Sequence, residues 1–169
     1  MNQWENDPVL RRYSDGPQSS APAETLKSTR NFLKKVISSQ DPGILRTAIC
    51  TKRGALIGFS MIAFIDKSNR SCKLGITIGE QAEWGKGYAR EALRGMIRQC
   101  FFKLKMNRIG AEIYSFNERS IRLFKSLGFR REGVLRQAIL ADGVFYDEHL
   151  YGLLRKEWLK LAGGGGRGR

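Results

Sequence analysis

A chain of 169 residues that is 41% hydrophobic suits one compact domain with a core rather than two. Thirty Lys and Arg against 16 Asp and Glu leave a net charge of +14, a field that attracts polyanions such as nucleotide phosphates or RNA and repels polycations. No apolar run reaches the roughly 18 residues that cross a bilayer, the start has no signal-peptide pattern, and Cys50, Cys72 and Cys100 lack CxxC spacing, so we expect a cytosolic protein with buried reduced thiols, no disulfide framework and no metal site.

Trp4 to Tyr13 and Pro22 to Ser39 read as two helices; Pro22 suits a first helical position, and Asp41-Pro42-Gly43 stops the second. Strands follow at Leu45 to Thr51 and Ala55 to Ile65, joined by the hairpin signal Thr51-Lys52-Arg53-Gly54. Cys72, Leu74, Ile76 and Ile78 alternate with Lys73, Gly75 and Thr77 as a half-buried strand does, and run straight into a glycine turn, Trp84-Gly85-Lys86-Gly87-Tyr88-Ala89. Ala89 to Leu104 then keeps one apolar face at helical spacing, with Arg90, Arg94 and Arg98 outward. Arg108 to Tyr114 reads as a strand and Ser120 to Leu127 as a short helix closed by Gly128; Val134 to Leu140 pairs with Val144 to Leu154 across Asp142-Gly143. The domain thus covers residues 1–161, and the Gly/Arg tail 162–169 is expected to be disordered.

A strand, then glycines, then a long helix presents free backbone N–H groups to an anion. The first amides of a helix have no intrahelical partners, the macrodipole adds partial positive charge, and glycines let a phosphate come close to the backbone. Lys86 adds a full charge. The dinucleotide fingerprint fails because Arg stands at position 90, and the P-loop fails for want of GK[ST]. An ordinary glycine-rich helix start is the plainer reading of so short a motif.

The turn also resembles the pyrophosphate loop of the GNAT (Gcn5-related N-acetyltransferase) superfamily, with Gly87 and Ala89 in its last two characteristic places and Trp84 where Gln or Arg is more general. Trp-Gly-Lys-Gly-Tyr-Ala is similar to the loop of the RimJ/RimL branch, which acetylates ribosomal-protein N-termini. Asn117 to Phe129 resembles that branch's N-x-x-S-x-x-L-[YF]-x-x-x-G-F helix, and Asp142-Gly143, Asp147, Tyr151 to Leu154 and Glu157-Trp158 resemble its closing hairpin. The likeness runs from Trp4 to Leu161. It implies an α/β (α+β) GNAT fold: a central, mixed but mostly antiparallel twisted sheet, splayed in the middle and flanked by helices, here with the branch's usual first strand apparently absent.

The resemblance further implies acetyl-CoA as co-substrate and direct transfer of acetyl to an amine, without an acyl-enzyme. Acetyl-CoA would contact Ile76, Ile78, Trp84, Gly85, Lys86, Gly87, Tyr88, Ala89, Asn117, Ser120 and Phe124, the pantetheine arm lying between the splayed strands and the amide near Ile78 facing the thioester oxygen. Glu112 is the first candidate for general base, because it points away from Ile109, Ala111 and Ile113 and precedes Asn117 by five residues, as the base does in a related ribosomal-protein acetyltransferase; a surface strand carboxylate is the alternative. Glu80 and Glu148 are reserves, and His149 reads as a packed or surface residue. Many members carry a Tyr acid where this chain has Phe124, so Ser120 is the hydroxyl that would serve, with a helix cap as its other reading, and Asn117 would bind the pantetheine or thioester region.

A protein N-terminal α-amine, ribosomal-protein-like, is the leading acceptor, with a monomer or homodimer touching a ribosome or RNA through Arg90, Arg94, Arg98, Lys103 and Lys105. A small-molecule amine (nucleotide amino sugar, polyamine, aminoglycoside) or aminoacyl-tRNA is the alternative, the charge opposing a polyamine. A non-catalytic CoA- or RNA-binding module is the reading from a different class.

Overall fold

The structure is a computed structural model that describes residues 2–14, 25, 27, 43–141 and 143–164. Six strands form one sheet in the order β1-β2-β3-β4-β6-β5: β1 Leu45–Cys50, β2 Leu56–Asp66, β3 Ser71–Ile78, β4 Arg108–Tyr114, β5 Arg130–Ala141 and β6 Val144–Leu154. Every neighbouring pair is antiparallel except β3 and β4, which run parallel over three residues only, Ser71↔Arg108, Cys72↔Ile109 and Lys73↔Gly110. Beyond Lys73 and Gly110 the two strands diverge, so the sheet is mixed, mostly antiparallel and open in its middle.

Local chemistry explains the elements. The β1–β2 turn closes through Gly54 N–H to the Thr51 carbonyl at 2.9 Å, with Gly54 in the left-handed region at φ +85. The helix α3, Tyr88–Arg98, buries Leu93, Met96 and Ile97 and continues as a π-turn over Gln99–Lys103 that buries Cys100 and Phe101. With α4, Glu118–Ser126, it covers one face of the sheet, where Ile62, Cys72, Leu74, Ile109, Ala111, Ile113, Phe124, Phe129 and Leu153 complete the core.

Several expectations are corrected. The expected helix from Trp4 to Tyr13 is two, α1 Asn2–Glu5 and α2 Pro8–Ser14, because Asp7 caps the second: its Oδ1 accepts from the N–H groups of Val9 and Leu10 at 2.8 and 3.2 Å, with Pro8 at the first helical position. The helix expected over Pro22 to Ser39 lies outside the described residues apart from isolated positions. A closing helix α5, Arg155–Gly164, had not been anticipated and takes in the first three residues of the expected tail; 165–169 lie outside the described residues, as does Asp142 of the β5–β6 turn. Among the described residues no strand precedes Leu45. Cys72 and Cys100 are buried with their sulfurs 3.6 Å apart, but Cys50, at the end of the edge strand β1, is exposed.

Candidate active site

β3 delivers the chain to the glycine turn, and Trp84 fixes the junction. Its indole Nε1–H donates to the Ile78 carbonyl at 2.7 Å, closing the turn over the end of the strand. Gly85 and Gly87 hold φ of +79 and +90, which L side chains rarely adopt, and a Cβ on either would meet nothing within 4 Å. The glycines are therefore needed for backbone conformation, and the space before them is open to a ligand. Gly87 begins α3 with no side-chain cap, so the first helical amides have neither an intrahelical nor a side-chain acceptor. Lys86 is held in an ion pair with Glu83 at 3.0 Å.

The backbone prepares the opening between β3 and β4. Gly79 N–H donates to the Ile57 carbonyl at 2.9 Å, which together with the Gly58↔Ile78 register makes the odd-numbered residues of β3 the ones bonded to β2. The N–H and C=O of Ile76 and the N–H of Ile78 consequently face the other way, into the opening, beyond the last β3–β4 pair, while the Ile78 carbonyl is taken by Trp84. On the far side Ser115 N–H donates to the Asp147 carbonyl at 2.9 Å, and the same alternation turns the backbone of Glu112 and Tyr114 inward. This is a sheet with a strand-wide gap whose edges still offer hydrogen bonds.

A cavity of about 510 Å³ joins the gap to the turn. Ile76, Ile78, Trp84, Gly85, Gly87, Tyr88, Ala89, Asn117 and Ser120 line it, so nine of the eleven positions expected to contact acetyl-CoA meet at one place. Lys86 and Phe124 do not line it: Phe124 is buried, edge-on to Phe129 at 5.0 Å between ring centroids. Asn117 caps α4 by accepting from Ser120 N–H at 3.1 Å, which ties the two polar residues together at the inner wall.

Seven lining residues had not been assigned to the site from the sequence: Leu10, Tyr13, Thr77, Glu83, Arg90, Arg119 and Leu123. Arg119, at the start of α4, lays its guanidinium 4.1 Å from the centre of the Trp84 ring, so a cation is held beside the glycine turn. Its position between Asn117 and Ser120 was the available signal, but stacking on Trp84 is a tertiary fact. Leu10 and Tyr13 come from α2, seated because Trp4 packs on Gly79 and Asp7 accepts from Gln81 Nε2 at 2.8 Å.

The sheet face away from α3 and α4 carries Lys73, Glu112 and Glu148, while His149, the register partner of buried Ile113, is on the other. Glu112 is 39% exposed and forms a short ion pair with Lys73, the last β3 residue paired to β4. Glu148 stands opposite Tyr114 on β6, and its carboxyl is raised above the usual range, first by burial and then by the charge of Glu112, with Lys73 acting in the opposite sense. His149 is pushed down by burial and by Arg131, and its Nδ1 is buried with no hydrogen-bond partner among the described residues. Glu80 follows β3 and does not line the cavity. Among the described residues no cluster of His, Cys, Asp or Glu could hold a metal, and no helix is long and apolar enough to cross a membrane.

A parallel pair that opens into a gap, ending at a glycine turn and a helix start, agrees with comparison to known proteins: residues 1–130 match the family described as the acetyltransferase (GNAT) domain. The chain belongs to the GNAT acetyltransferases. This GNAT chain is 29% identical over 158 residues to the uncharacterized N-acetyltransferase p20 of Bacillus licheniformis, covering 92% of the chain and 86% of that protein. It is 36% identical over 91 residues to the [ribosomal protein uS5]-alanine N-acetyltransferase of Escherichia coli, covering 54% of the chain and 46% of that enzyme. Its fold matches the spermidine N-acetyltransferase of Vibrio cholerae, solved with CoA and spermine, at a TM-score of 0.81 and 22% identity over 94% of the chain and 89% of the other. The GNAT chain is an N-acetyltransferase, and acetyl-CoA fits it as co-substrate.

Proposed function

We propose that the protein transfers acetyl from acetyl-CoA directly to a primary amine, the α-amine of a protein N-terminus. The single observation that carries the direct route is the gap: its edges offer backbone amides, and among the described residues its wall holds no Cys or Lys nucleophile and no His that could activate the Ser120 hydroxyl. The amides of Gly87 to Arg90 and the guanidinium of Arg119 would receive the phosphates of the donor. The pantetheine arm would bond to the exposed edge at Ile76 and Ile78, and the Ile78 amide would meet the thioester oxygen, where negative charge grows as the amine attacks. Asn117 and Ser120, tied together at the cavity wall, would supply the hydrogen bond that the leaving thiolate needs. A carboxylate on the open face, Glu112 or Glu148, would take the proton of the incoming ammonium.

The ribosomal-protein relative supports the N-terminal acceptor. The field of +14 supports it as well, since a target seated on RNA is drawn to such a surface and a free polyamine is not. A small amine is the second reading, favoured by the spermine complex of the structural neighbour and by the two carboxylates on the open face. Thermal-shift titration with acetyl-CoA, then thiol release with an alanine-initiated peptide and with spermidine, tests the proposal. A donor-dependent shift with turnover of the peptide is expected; turnover of spermidine alone would move the acceptor to the second reading, and a shift without turnover of any amine would favour a binding module.

A further inference from the structure

Two carboxylates share the open face of the sheet beside the gap, and the structure treats them differently. In the β4–β6 register Glu112 faces Leu150 and Tyr114 faces Glu148. Facing residues project from the same side of the sheet, so Glu112 and Glu148 are diagonal neighbours, about 7–8 Å apart at the backbone. Continuing the β3–β4 numbering past its last pair, Lys73↔Gly110, sets Glu112 level with Gly75, and sets Tyr114, with Glu148 opposite it, level with Thr77, next to the Ile78 amide proposed to meet the thioester oxygen. Glu112 is occupied: the Lys73 ammonium bonds to its Oε1. Glu148 is half-buried, and among the described residues no hydrogen bond or ion pair engages it.

We propose that Glu148, not Glu112, is the general base of the transfer, and that Lys73 is the positioning residue that decides between them by holding Glu112. The assignment rests on the acetyl-transfer reading above. A base needs a free lone pair directed at the ammonium, and an ion-paired carboxylate has already given one away. The charged groups acting on Glu148 are Glu112 from β4, which raises its proton affinity, and Lys73 from β3, which lowers it; its register partner on β5, Leu135, is apolar. Burial and a neighbouring negative charge are the two conditions that make a carboxyl a better base near neutral pH.

In the step itself Glu148 takes one proton from R–NH3+. The freed lone pair forms the C–N bond at the thioester carbon, and the C–S bond breaks with its electrons on sulfur. A second proton passes from the nitrogen to the thiolate, the third stays in the amide, and Glu148 returns its proton to water.

Each variant has its own expected outcome, read with acetyl-CoA and whichever of the alanine-initiated peptide and spermidine turns over. Glu148→Gln should lower kcat about a hundredfold or more at unchanged KM for acetyl-CoA, whereas Glu112→Gln should lower it less than about fivefold. The acid limb of the pH–rate profile should move down in Glu112→Gln, which removes a like charge, and up in Lys73→Met, which removes an opposite one. A kcat retained in Glu148→Gln, or a loss in Glu112→Gln equal to that in Glu148→Gln, would overturn the assignment. So would a Glu148→Gln protein that no longer shifts thermally with acetyl-CoA, since Glu148 would then be structural.

If neither amine turns over, NMR titration of 13C-labelled glutamate carboxyls decides: Glu148 should titrate above the ordinary glutamate range, and a Glu148 carboxyl at or below that range defeats the proposal. A wild-type protein that does not bind acetyl-CoA would defeat the acetyl-transfer reading instead, leaving the Glu148 titration as measured.

Discussion

Gly87 begins α3 at φ +90 with empty space before it, so any side chain there acts twice, straining the turn and filling the place where a phosphate would meet the helix amides. Gly87→Val should abolish the acetyl-CoA-dependent thermal shift. Arg119 makes the complementary case: held on Trp84, its charge is pre-placed, and Arg119→Ala should weaken CoA binding about tenfold in a calorimetric titration while leaving acetyl-pantetheine, which lacks the phosphates, unaffected. Glu148 joins function to stability. Its folded pKa is raised, so the folded state binds the proton more tightly than the unfolded chain, and the cost of ionising it grows as pH climbs from the unfolded value through the folded one. Glu148→Gln should therefore have a higher Tm than wild type at pH 8 and the same Tm at pH 4, measured by calorimetry. The glycines could be read in the sequence because a positive φ restricts residue type. The preference for Glu148 could not, because it depends on Lys73, which is 39 positions from Glu112 in the chain but bonded to it in space.

The elements were legible where a single periodicity runs uninterrupted. β3 and β4 alternate cleanly, and α3 keeps its apolar face, so all three start within a residue of where alternation and helical spacing put them. The end of α3 was not legible: Leu104 N–H reaches back to the Gln99 carbonyl at 3.0 Å, and this π-turn arises from packing Cys100, Phe101 and Met106 rather than from any residue signal. The break at Asp7 is clear afterwards as an N-cap followed by Pro, but apolar spacing alone ran across it. Phe101 is fully buried in that turn, and Phe101→Ala should destabilise the protein by about 3–5 kcal/mol in urea unfolding. On the outer side of the same helix Arg90, Arg94 and Arg98 are exposed, as their spacing implied. Replacing Arg94 and Arg98, which do not line the cavity, by Gln should leave transfer to a free peptide intact; if the natural target sits on RNA, only transfer to that target should fall.

Across the whole molecule the charge excess makes donor binding an ionic-strength measurement: the acetyl-CoA Kd should rise between about 50 and 300 mM salt as screening shortens the reach of the field. Acid should weaken the fold by a separate route. Glu132 is held below the usual carboxyl range by Arg108, so its contribution is complete above the unfolded value near about 4.3 and is lost as pH falls through the lower folded one, though exposure of the pair keeps it small.

The three-residue ladder between β3 and β4 has a further consequence for how the protein comes apart. By main-chain bonds the sheet is two blades, β1-β2-β3 and β4-β6-β5, stitched by a seam three residues long; side chains of α3 bridge the blades from one side. Such a body is a pair of unfolding units rather than one, and a molecule bonded to both free edges would fasten them together. Without donor, hydrogen exchange at Leu74 to Ile78 and at Glu112 to Tyr114 should outpace exchange at the outer strands, and heating should give a broadened transition. Saturation with CoA should slow that exchange and sharpen the melt, so the cell's CoA pool would set how cooperatively this protein unfolds.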